Sequence, residues 1–234
     1  MSQNIIEIKN LEKSFKHHKV IRNISMSVPE GSVYGLLGPN GAGKSTILKM
    51  LTGLLRPDSG RILFCGTPWT RKNLEETGSL IETPPVYENL SAWENLKVRA
   101  LILGETEERI KEVLEMVNLT DTGKKPAGKF SLGMKQRLGI AIALLGHPRL
   151  LILDEPVNGL DPLGIQEIRG LIRSFADQGM TVMISSHILS EIQQTADHIG
   201  ILVNGKMGYE GPVTEDMNLE SLFMKIAAAE REVG

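Results

Sequence analysis

The residues GPNGAGKST, Gly38–Thr46, decide the fold of this 234-residue chain. The apolar run SVYGLL before them predicts a buried strand, and KSTILKMLTGLL predicts a helix that ends near Gly53. The stretch has the spacing G-x-x-x-x-G-K-[ST] and lies between a strand and a helix, as this spacing requires. Glycines let successive backbone amides face one anion, and the helix N-terminus adds partial positive charge. The sequence therefore predicts a loop that binds nucleotide phosphates.

Two side chains at the end of this loop suit a nucleoside triphosphate with magnesium. Lys44 can reach the β- and γ-phosphates, and the Ser45 hydroxyl can bind Mg²⁺. The alternative is a glycine-rich turn without a ligand, which leaves the coincidence of spacing, Lys-Ser pair and strand–helix setting unexplained. The nucleotide-binding residues expected in the loop are Gly38, Pro39, Asn40, Gly41, Ala42, Gly43, Lys44, Ser45 and Thr46.

A second motif, LLILDEP at Leu150–Pro156, places two acids at the end of an apolar strand. Adjacent acids are costly to bury there unless each has a task, and the carboxyl end of a parallel strand borders the ligand crevice. Asp154 is suited to support Mg²⁺, directly or through water, and Glu155 to orient or deprotonate an attacking water. The alternative is a strand that ends in two solvated acids.

Strand and helix patterns alternate along much of the chain, which predicts an α/β fold. NIIEIKNLEKSF is expected to form an edge-type strand paired with VIRNISMSV, and HIGILVNGKMGYEG a hairpin that turns at Asn204-Gly205. Three helical patterns follow one another between residues 84 and 148, and one begins with the capping box of Ser91 and Glu94. We expect a mainly parallel sheet with helices on both faces, an antiparallel β part and an inserted helical part.

The expected organisation is a single domain over residues 1–234. An α/β core would comprise residues 1–83 and 149–215, a helical subdomain residues 84–148, and a C-terminal helix residues 216–234.

Composition limits the possible partners. The 26 basic and 28 acidic residues leave a formal net charge of −2, which does not favour a nucleic-acid-coating surface, so no nucleic-acid partner is expected. Cys65 is the single cysteine, so an internal disulfide or a cysteine metal pair is excluded. We find neither a signal-peptide pattern nor an apolar run of membrane-spanning length, so a membrane role would act through a partner.

Further segments make these motifs resemble the ATP-binding subunit of ABC (ATP-binding cassette) transporters over essentially the whole chain. FSLGMKQRLGIA, Phe130–Ala141, is similar to the family signature, and NGLD, Asn158–Asp161, to its D-loop. The resemblance implies a RecA-like P-loop NTPase fold and ATP and Mg²⁺ as cofactors. The residues it assigns to the signature, which would reach the nucleotide of a second subunit, are Ser131, Leu132, Gly133 and Met134.

The resemblance assigns further residues. His187 is implied as the switch histidine, Phe15 as the aromatic residue that stacks on adenine, and Asp161 as the D-loop acid. Each has a simpler alternative: the Ser131 stretch can be only a helix cap, His187 a core histidine, and Phe15 ordinary core packing. Leu132 and Met134 depart from the usual signature.

The segment LIETPP, Leu80–Pro85, carries an acid, Glu82, where the family usually has a glutamine. The resemblance implies that this position contacts Mg²⁺ or the attacking water and borders the groove that receives a cytoplasmic helix of the membrane subunit. Glutamate keeps an oxygen ligand but loses a donor. The segment resembles a narrower branch, the cassettes of bacitracin resistance and lantibiotic immunity. The alternative is a loop acid without such contacts.

The resemblance implies that two cassettes close on two MgATP molecules and drive export of a peptide antibiotic or similar amphipathic substrate. The implied partners are transmembrane permease subunits and a second ATP-binding subunit, a homodimer or a heterodimer, at the cytoplasmic face of the cell membrane. Other possibilities are an exporter of drugs or lipids, a soluble regulatory or DNA-repair cassette ATPase, and a P-loop kinase.

Overall fold

The computed structural model describes residues 3–214 and 216–232. Its strands, in chain order, are β1 (Asn4–Phe15), β2 (His18–Pro29), β3 (Val33–Leu37), β4 (Ser59–Phe64), β5 (Thr67–Pro68), β6 (Thr77–Leu80), β7 (Leu150–Leu153), β8 (Thr181–Ser186), β9 (His198–Val203) and β10 (Lys206–Pro212). They form a four-stranded sheet, in the order β2-β1-β4-β5, and a six-stranded sheet, in the order β10-β9-β3-β8-β7-β6.

The α-helices are α1 (Lys44–Leu51), α2 (Ala92–Leu103), α3 (Glu107–Met116), α4 (Leu132–Leu144), α5 (Pro162–Asp177), α6 (Leu189–Thr195) and α7 (Leu219–Glu232). Short 3₁₀ helices occupy Arg71–Glu76, Thr120–Thr122 and Ala127–Lys129. Helices α2, α3 and α4 all fall in the stretch 84–148 that the sequence assigns to a helical part. In the described residues, every helix is too short or too polar to cross a bilayer.

The six-stranded sheet is mainly parallel, as the sequence predicts. Strand β3 pairs in parallel with β8 and β9, β7 pairs in parallel with β6 and β8, and β10 runs antiparallel to β9. Parallel strands end at the same edge of a sheet, so the segments that follow β3, β7 and β8 come together. These segments are the phosphate loop, the acid pair and His187.

The expectation that the first strand is an edge strand is wrong. Strand β1 lies inside the antiparallel sheet, between β2 and β4, and pairs with both. Alternation of apolar and polar residues indicates that one face of a strand is buried, and it carries no information on how many neighbours the strand has. The predicted pairing with VIRNISMSV is confirmed.

The parallel sheet separates two apolar cores. Val33 and Leu37 of β3 contribute to a core shared with α2 to α6, whereas Tyr34 and Leu36 contribute to a core shared with α1 and the antiparallel sheet. Helices therefore lie on both faces of the parallel sheet, as expected. On the second face the only helix in this core is α1, among the described residues, and the antiparallel sheet covers the remainder of that face. The antiparallel strands need this contact because their own apolar face must be buried.

The helical part is held by caps and by one buried arginine. The capping box of Ser91 and Glu94 is confirmed at the start of α2. Arg109 of α3 is buried and donates hydrogen bonds to the carbonyl oxygens of Leu144 and Leu145, where α4 ends. These carbonyls lack partners within their own helix, so the guanidinium group closes that helix end and joins α3 to α4.

Outside the helical part, α5 has a well-defined cap and the predicted Asn204-Gly205 turn is confirmed. Asp161 caps α5 and accepts a hydrogen bond from the Gly164 amide, with Pro162 at the first helical position. Asn204 and Gly205 both have positive φ between β9 and β10, as the predicted two-residue hairpin turn requires.

Candidate functional site

The loop between β3 and α1 is shaped to hold an anion. Gly41 and Gly43 have φ values of 80° and 111°, a left-handed region that favours glycine. Within the described residues, no acceptor bonds the amides of Gly41, Gly43, Lys44 and Ser45. A row of free N–H groups at a helix start is a ready site for phosphate, as the sequence predicts for this loop.

Lys44 is only 5% exposed, and its ammonium group is fully occupied within the site. Nζ donates to the carbonyl oxygens of Gly38, at 2.8 Å, and Pro39, at 3.3 Å. It also lies 3.1 Å from Oε1 of Glu155. Because a buried ammonium needs such partners, the pair with Glu155 ties the phosphate loop to the end of β7.

The Glu155 carboxylate is shared between two functional candidates. While Oε1 faces Lys44, Oε2 lies 2.8 Å from Nδ1 of His187. Glu155 itself has φ 49°, which is uncommon for a residue other than glycine and often accompanies a functional position. The structure thus brings Lys44, Glu155 and His187 into one contact group, and His187 is exposed at this site rather than part of the apolar core.

Ser185 is a site residue that the sequence interpretation missed. Its buried hydroxyl donates to Oδ1 of Asp154, at 2.6 Å, and accepts from the Glu155 amide, at 2.9 Å. One side chain therefore fixes both members of the acid pair. The register of β7 beside β8 places Ser185 next to these acids, so a sequence argument from paired parallel strand ends could have found it.

Two oxygens near the loop fit a magnesium ion held together with substrate phosphates. Asp154 is 4% exposed, and its Oδ2 has no hydrogen-bond partner among the described residues, nor has the Ser45 hydroxyl. Mg²⁺ is usually held by one or two side chains, phosphates and water. That mode does not need a cluster of three or more acid, histidine or cysteine ligands, and none is found in the described part of the chain.

Phe15 lies at the end of β1 and is 43% exposed. The alternative of ordinary core packing is therefore wrong, since a core aromatic ring would be covered. Lys13 Nζ lies 5.7 Å from the centre of the ring, a cation–π distance, on this open surface. The ring is free to stack on a planar ligand, and its role with adenine stays a prediction.

The signature residues open α4 as expected. The Ser131 hydroxyl accepts a hydrogen bond from the Met134 amide, so Ser131 does act as a helix cap. Leu132 is exposed and folds toward the D-loop, since a Cβ placed on Gly159 would lie 3.3 Å from its Cδ2. Within the described residues, no hydrogen bond or ion pair links Ser131 to the phosphate loop of the same chain. Its contact with a second subunit stays a prediction.

Glu82 is bound to α1, through a partner that the sequence interpretation missed. Its Oε1 lies 2.5 Å from Nζ of Lys49, and this hydrogen-bonded ion pair lowers the pKa of the Glu82 carboxyl below its usual value. Glu82 has φ 66°, a second strained position beside the site. Lys49 lies on the same helix as Lys44 and Ser45, so the acid is connected to the phosphate-binding helix.

The chain beyond the two prolines is attached to the helical part instead. The buried amide of Asn95 on α2 accepts from the Tyr87 amide and donates to the carbonyl oxygens of Tyr87, Leu90 and Ser91. Lys135 of α4 pairs with Glu88 at 2.8 Å. The short stretch between Glu82 and Tyr87 therefore connects two anchored ends.

A groove of about 350 Å³ opens beside this stretch, between the Arg71–Glu76 helix, β6, α2 and α4. Its lining mixes apolar and polar groups and includes Leu74, Pro85, Tyr87, Arg99, Ile102 and Leu103. Ile102 is 71% exposed, and Tyr87 and Leu103 are also exposed.

The fold and the arrangement around the loop are those of a P-loop nucleoside triphosphatase. Residues 21–158 match the ABC transporter family. The chain is 53% identical over 219 residues to the lantibiotic transport ATP-binding protein SrtF of Streptococcus pyogenes, covering 94% of this chain and 96% of that protein. It is 50% identical over 213 residues to the bacitracin transport ATP-binding protein BcrA of Bacillus licheniformis, covering 89% and 70% of the two chains.

Solved structures agree with this assignment. An ATP-binding cassette of an ABC transporter in its ADP conformation superposes over the full length of both chains, with a TM-score of 0.87 and 26% identity. An ATP-binding subunit of an ABC transporter gives a TM-score of 0.83 at 29% identity, covering 95% of this chain and 99% of that one. The chain belongs to the ABC transporter family and is its ATP-binding, ATP-hydrolysing subunit.

We predict that Ser185→Ala lowers kcat for ATP hydrolysis about tenfold, the effect of losing roughly 1–1.5 kcal/mol of hydrogen bonding around the acid pair. Affinity for nucleotide should change much less, because the phosphate loop is untouched. Steady-state hydrolysis and binding of a fluorescent nucleotide measure the two effects. The matched control is Ser174→Ala on α5, whose hydroxyl only bonds the Leu171 carbonyl oxygen. An unchanged kcat for Ser185→Ala would contradict the role given to this serine.

Proposed function

We propose that this subunit pairs with a second ATP-binding subunit, closes on MgATP and drives the export of a peptide antibiotic through a membrane permease. The observation that supports the catalytic part is the Glu155 carboxylate, held between Lys44 and His187 beside the phosphate loop. The names of the relatives, lantibiotic and bacitracin transport proteins, support the class of substrate. The proposed location is the cytoplasmic face of the membrane, bound to the permease.

The carboxylate bridge suggests how binding prepares hydrolysis. Lys44 is paired with Glu155 and with two loop carbonyls, and a γ-phosphate is a stronger partner for the same ammonium group. When Lys44 turns to phosphate, Oε1 of Glu155 becomes available to a water molecule while His187 keeps Oε2. Glu155 then takes the proton of the water that attacks the γ-phosphorus, the bond to the β-phosphate oxygen breaks, and ADP and phosphate leave.

Nucleotide binding is assigned to the loop and to the groups beside it. The loop amides hold the phosphates, Phe15 stacks on adenine, and Ser45 and Asp154 would hold Mg²⁺, which neutralises phosphate charge. Glu82 stays a candidate oxygen ligand, and to act as one its carboxylate must leave Lys49. The loop residues proposed to contact nucleotide are Gly38 to Thr46.

A second subunit would complete the site. Ser131 and Gly133 lie at the start of α4, where a hydroxyl and backbone amides face outward, and their anion would be the γ-phosphate held by the other subunit. We propose a homodimer, with a heterodimer of related cassettes as the alternative. Asp161 caps α5 next to the signature, so the D-loop would meet the same interface.

The groove beside α2 is the proposed seat of a cytoplasmic helix of the permease. It lies where the phosphate-binding helix, through Lys49 and Glu82, and the helical part, through Asn95, hold the same short connection. We propose the division into an α/β core of residues 1–83 and 149–215, a helical subdomain of residues 84–148 and a terminal helix of residues 216–234. Residues 1–2, 215 and 233–234 of these ranges lie outside the described residues.

Glu155→Gln should keep nucleotide binding and abolish most hydrolysis, because an amide cannot accept the proton of the attacking water. We expect the variant to accumulate as an ATP-bound dimer on a sizing column. Glu191→Gln on α6, where the acid pairs with Arg169, is the control and should hydrolyse ATP normally. Normal hydrolysis together with a monomeric Glu155→Gln protein would show that the general base is wrongly assigned.

Ile102→Glu should weaken co-purification with the permease at least tenfold, because a charge replaces an apolar contact at the centre of the groove. Leu101→Glu is a matched control, since Leu101 is 74% exposed on the same helix but does not line the groove. Hydrolysis by the isolated subunit should stay normal in both variants. Equal loss of permease in the two variants would argue against this groove as the docking site.

Glu82→Gln should lower ATP hydrolysis in the assembled transporter and antibiotic resistance in cells several-fold. The amide cannot form the ion pair with Lys49 and is a weaker ligand for a hard cation. Glu88→Gln is the control, because Glu88 also forms an ion pair with a lysine, Lys135, a few residues further along the chain. Unchanged hydrolysis and unchanged resistance would remove Glu82 from the mechanism.

A further inference from the structure

The arginines whose side chains the structure describes fall into two groups. Most are bonded within the chain: Arg22, Arg109, Arg137, Arg149, Arg169 and Arg173. The other side chains have neither an ion pair nor a hydrogen bond within the part of the chain that the structure describes, and they belong to Arg56, Arg61, Arg71 and Arg99. These four are not scattered, since each lines one of two neighbouring grooves.

Arg99 lines the proposed permease groove, and the other three line a second groove of about 320 Å³ that we call the arginine groove. Arg56 follows α1, Arg61 lies on β4, and Arg71 begins the 3₁₀ helix. All three are exposed, and no acidic residue is among the lining residues of this groove in the described part of the chain. The groove is therefore a positively charged site without an internal counter-charge.

The arginine groove is also lined by a well-packed aromatic residue, Trp69. Trp69 is half-buried, its amide donates to the Ile62 carbonyl oxygen, and its ring lies against the Gly53 backbone, where a Cβ would come within 2.9 Å of the ring. Leu54, which follows Gly53 but does not line the groove, is 64% exposed. An aromatic ring with arginines and an exposed leucine is the composition of surfaces that meet the headgroup region of a bilayer.

The position of the arginine groove favours lipid over protein as its occupant. The Arg71–Glu76 helix contributes Arg71 to this groove and Leu74 and Glu75 to the proposed permease groove, so the two sites lie on either side of it. Cytoplasmic loops of membrane proteins are rich in lysine and arginine, whereas the cytoplasmic leaflet is anionic. A positive groove beside the permease seat is thus better matched by the leaflet than by permease loops.

We propose that Arg56, Arg61 and Arg71 bind the phosphate headgroups of anionic lipids when the subunit is seated under its permease. Guanidinium groups bind phosphate oxygens with paired hydrogen bonds, and unpaired side chains lose no internal contact in doing so. The net charge of the chain is −2, so attraction to an anionic surface must come from a local patch. The membrane location rests on the proposed function, but lipid binding can be measured without the permease.

The test is sedimentation of the full chain with vesicles at several millimolar lipid, comparing pure phosphatidylcholine with a mixture containing phosphatidylglycerol. Millimolar ADP keeps the phosphate loop filled, so that it cannot bind headgroups. We expect binding only to the mixed vesicles, weakening as salt is raised. In the variant Arg56→Gln, Arg61→Gln, Arg71→Gln the partition coefficient should fall at least about tenfold, from the loss of three basic groups near an anionic surface.

The matched control neutralises three exposed lysines elsewhere, Lys111, Lys124 and Lys225, and so changes the net charge equally. It should keep near-normal vesicle binding. Equal loss in both variants, equal binding to phosphatidylcholine alone, or no binding to either vesicle would overturn the proposal.

Circular dichroism checks that each variant is folded, and Arg61→Glu alone, at an exposed strand position, provides a milder second variant. Failure of permease capture with normal vesicle binding would count against the proposed function and not against this groove.

Discussion

The ion pair between Lys44 and Glu155 is the contact on which the site depends. It joins the loop after β3 to the end of β7, and the histidine that follows β8 completes it from the other side. Three strand ends meet there only because the central strands are parallel and in register. The apolar strands thus form the buried sheet and also position the site, because their common edge fixes the distances among charged groups that lie far apart in sequence.

Helix α1, which begins at this contact, also reaches the segment that carries Glu82. Lys44 and Lys49 belong to α1, so one rigid element touches Glu155 near its start and Glu82 near its end. The pair of Lys49 with Glu82 is exposed, and exposed ion pairs contribute only about 0.2–1 kcal/mol. The other end of this stretch, at Tyr87, is fixed more firmly, through the buried side-chain amide of Asn95. The two ends of the connection between Glu82 and Tyr87 are therefore held with unequal strength, by an exposed ion pair at one end and buried hydrogen bonds at the other.

The sequence predicted the elements whose signals are local. The phosphate loop, the capping box at Ser91 and the Asn204-Gly205 turn each follow from a few neighbouring residues. The sequence did not predict the features that depend on contacts between segments distant along the chain. Alternation could not show that β1 has two neighbours, and no local pattern connects Lys49 to Glu82 or Ser185 to the acid pair. These contacts depend on strand register and on the position of the helices, and the spacing of residues along the chain does not determine either.

The departure at Leu132 has a physical consequence for any paired form of the subunit. Where a small residue would leave the start of α4 open, the leucine side chain covers Gly159 of the D-loop, and Leu160 lies near Gly133. Apolar contact of this kind couples the two segments, because separating them would expose the leucine further to water. Signature and D-loop of one subunit would then approach the partner as a single surface. On dimer closure the signature and the D-loop would then dock together. The nucleotide bound by the partner subunit would be contacted by both segments or by neither.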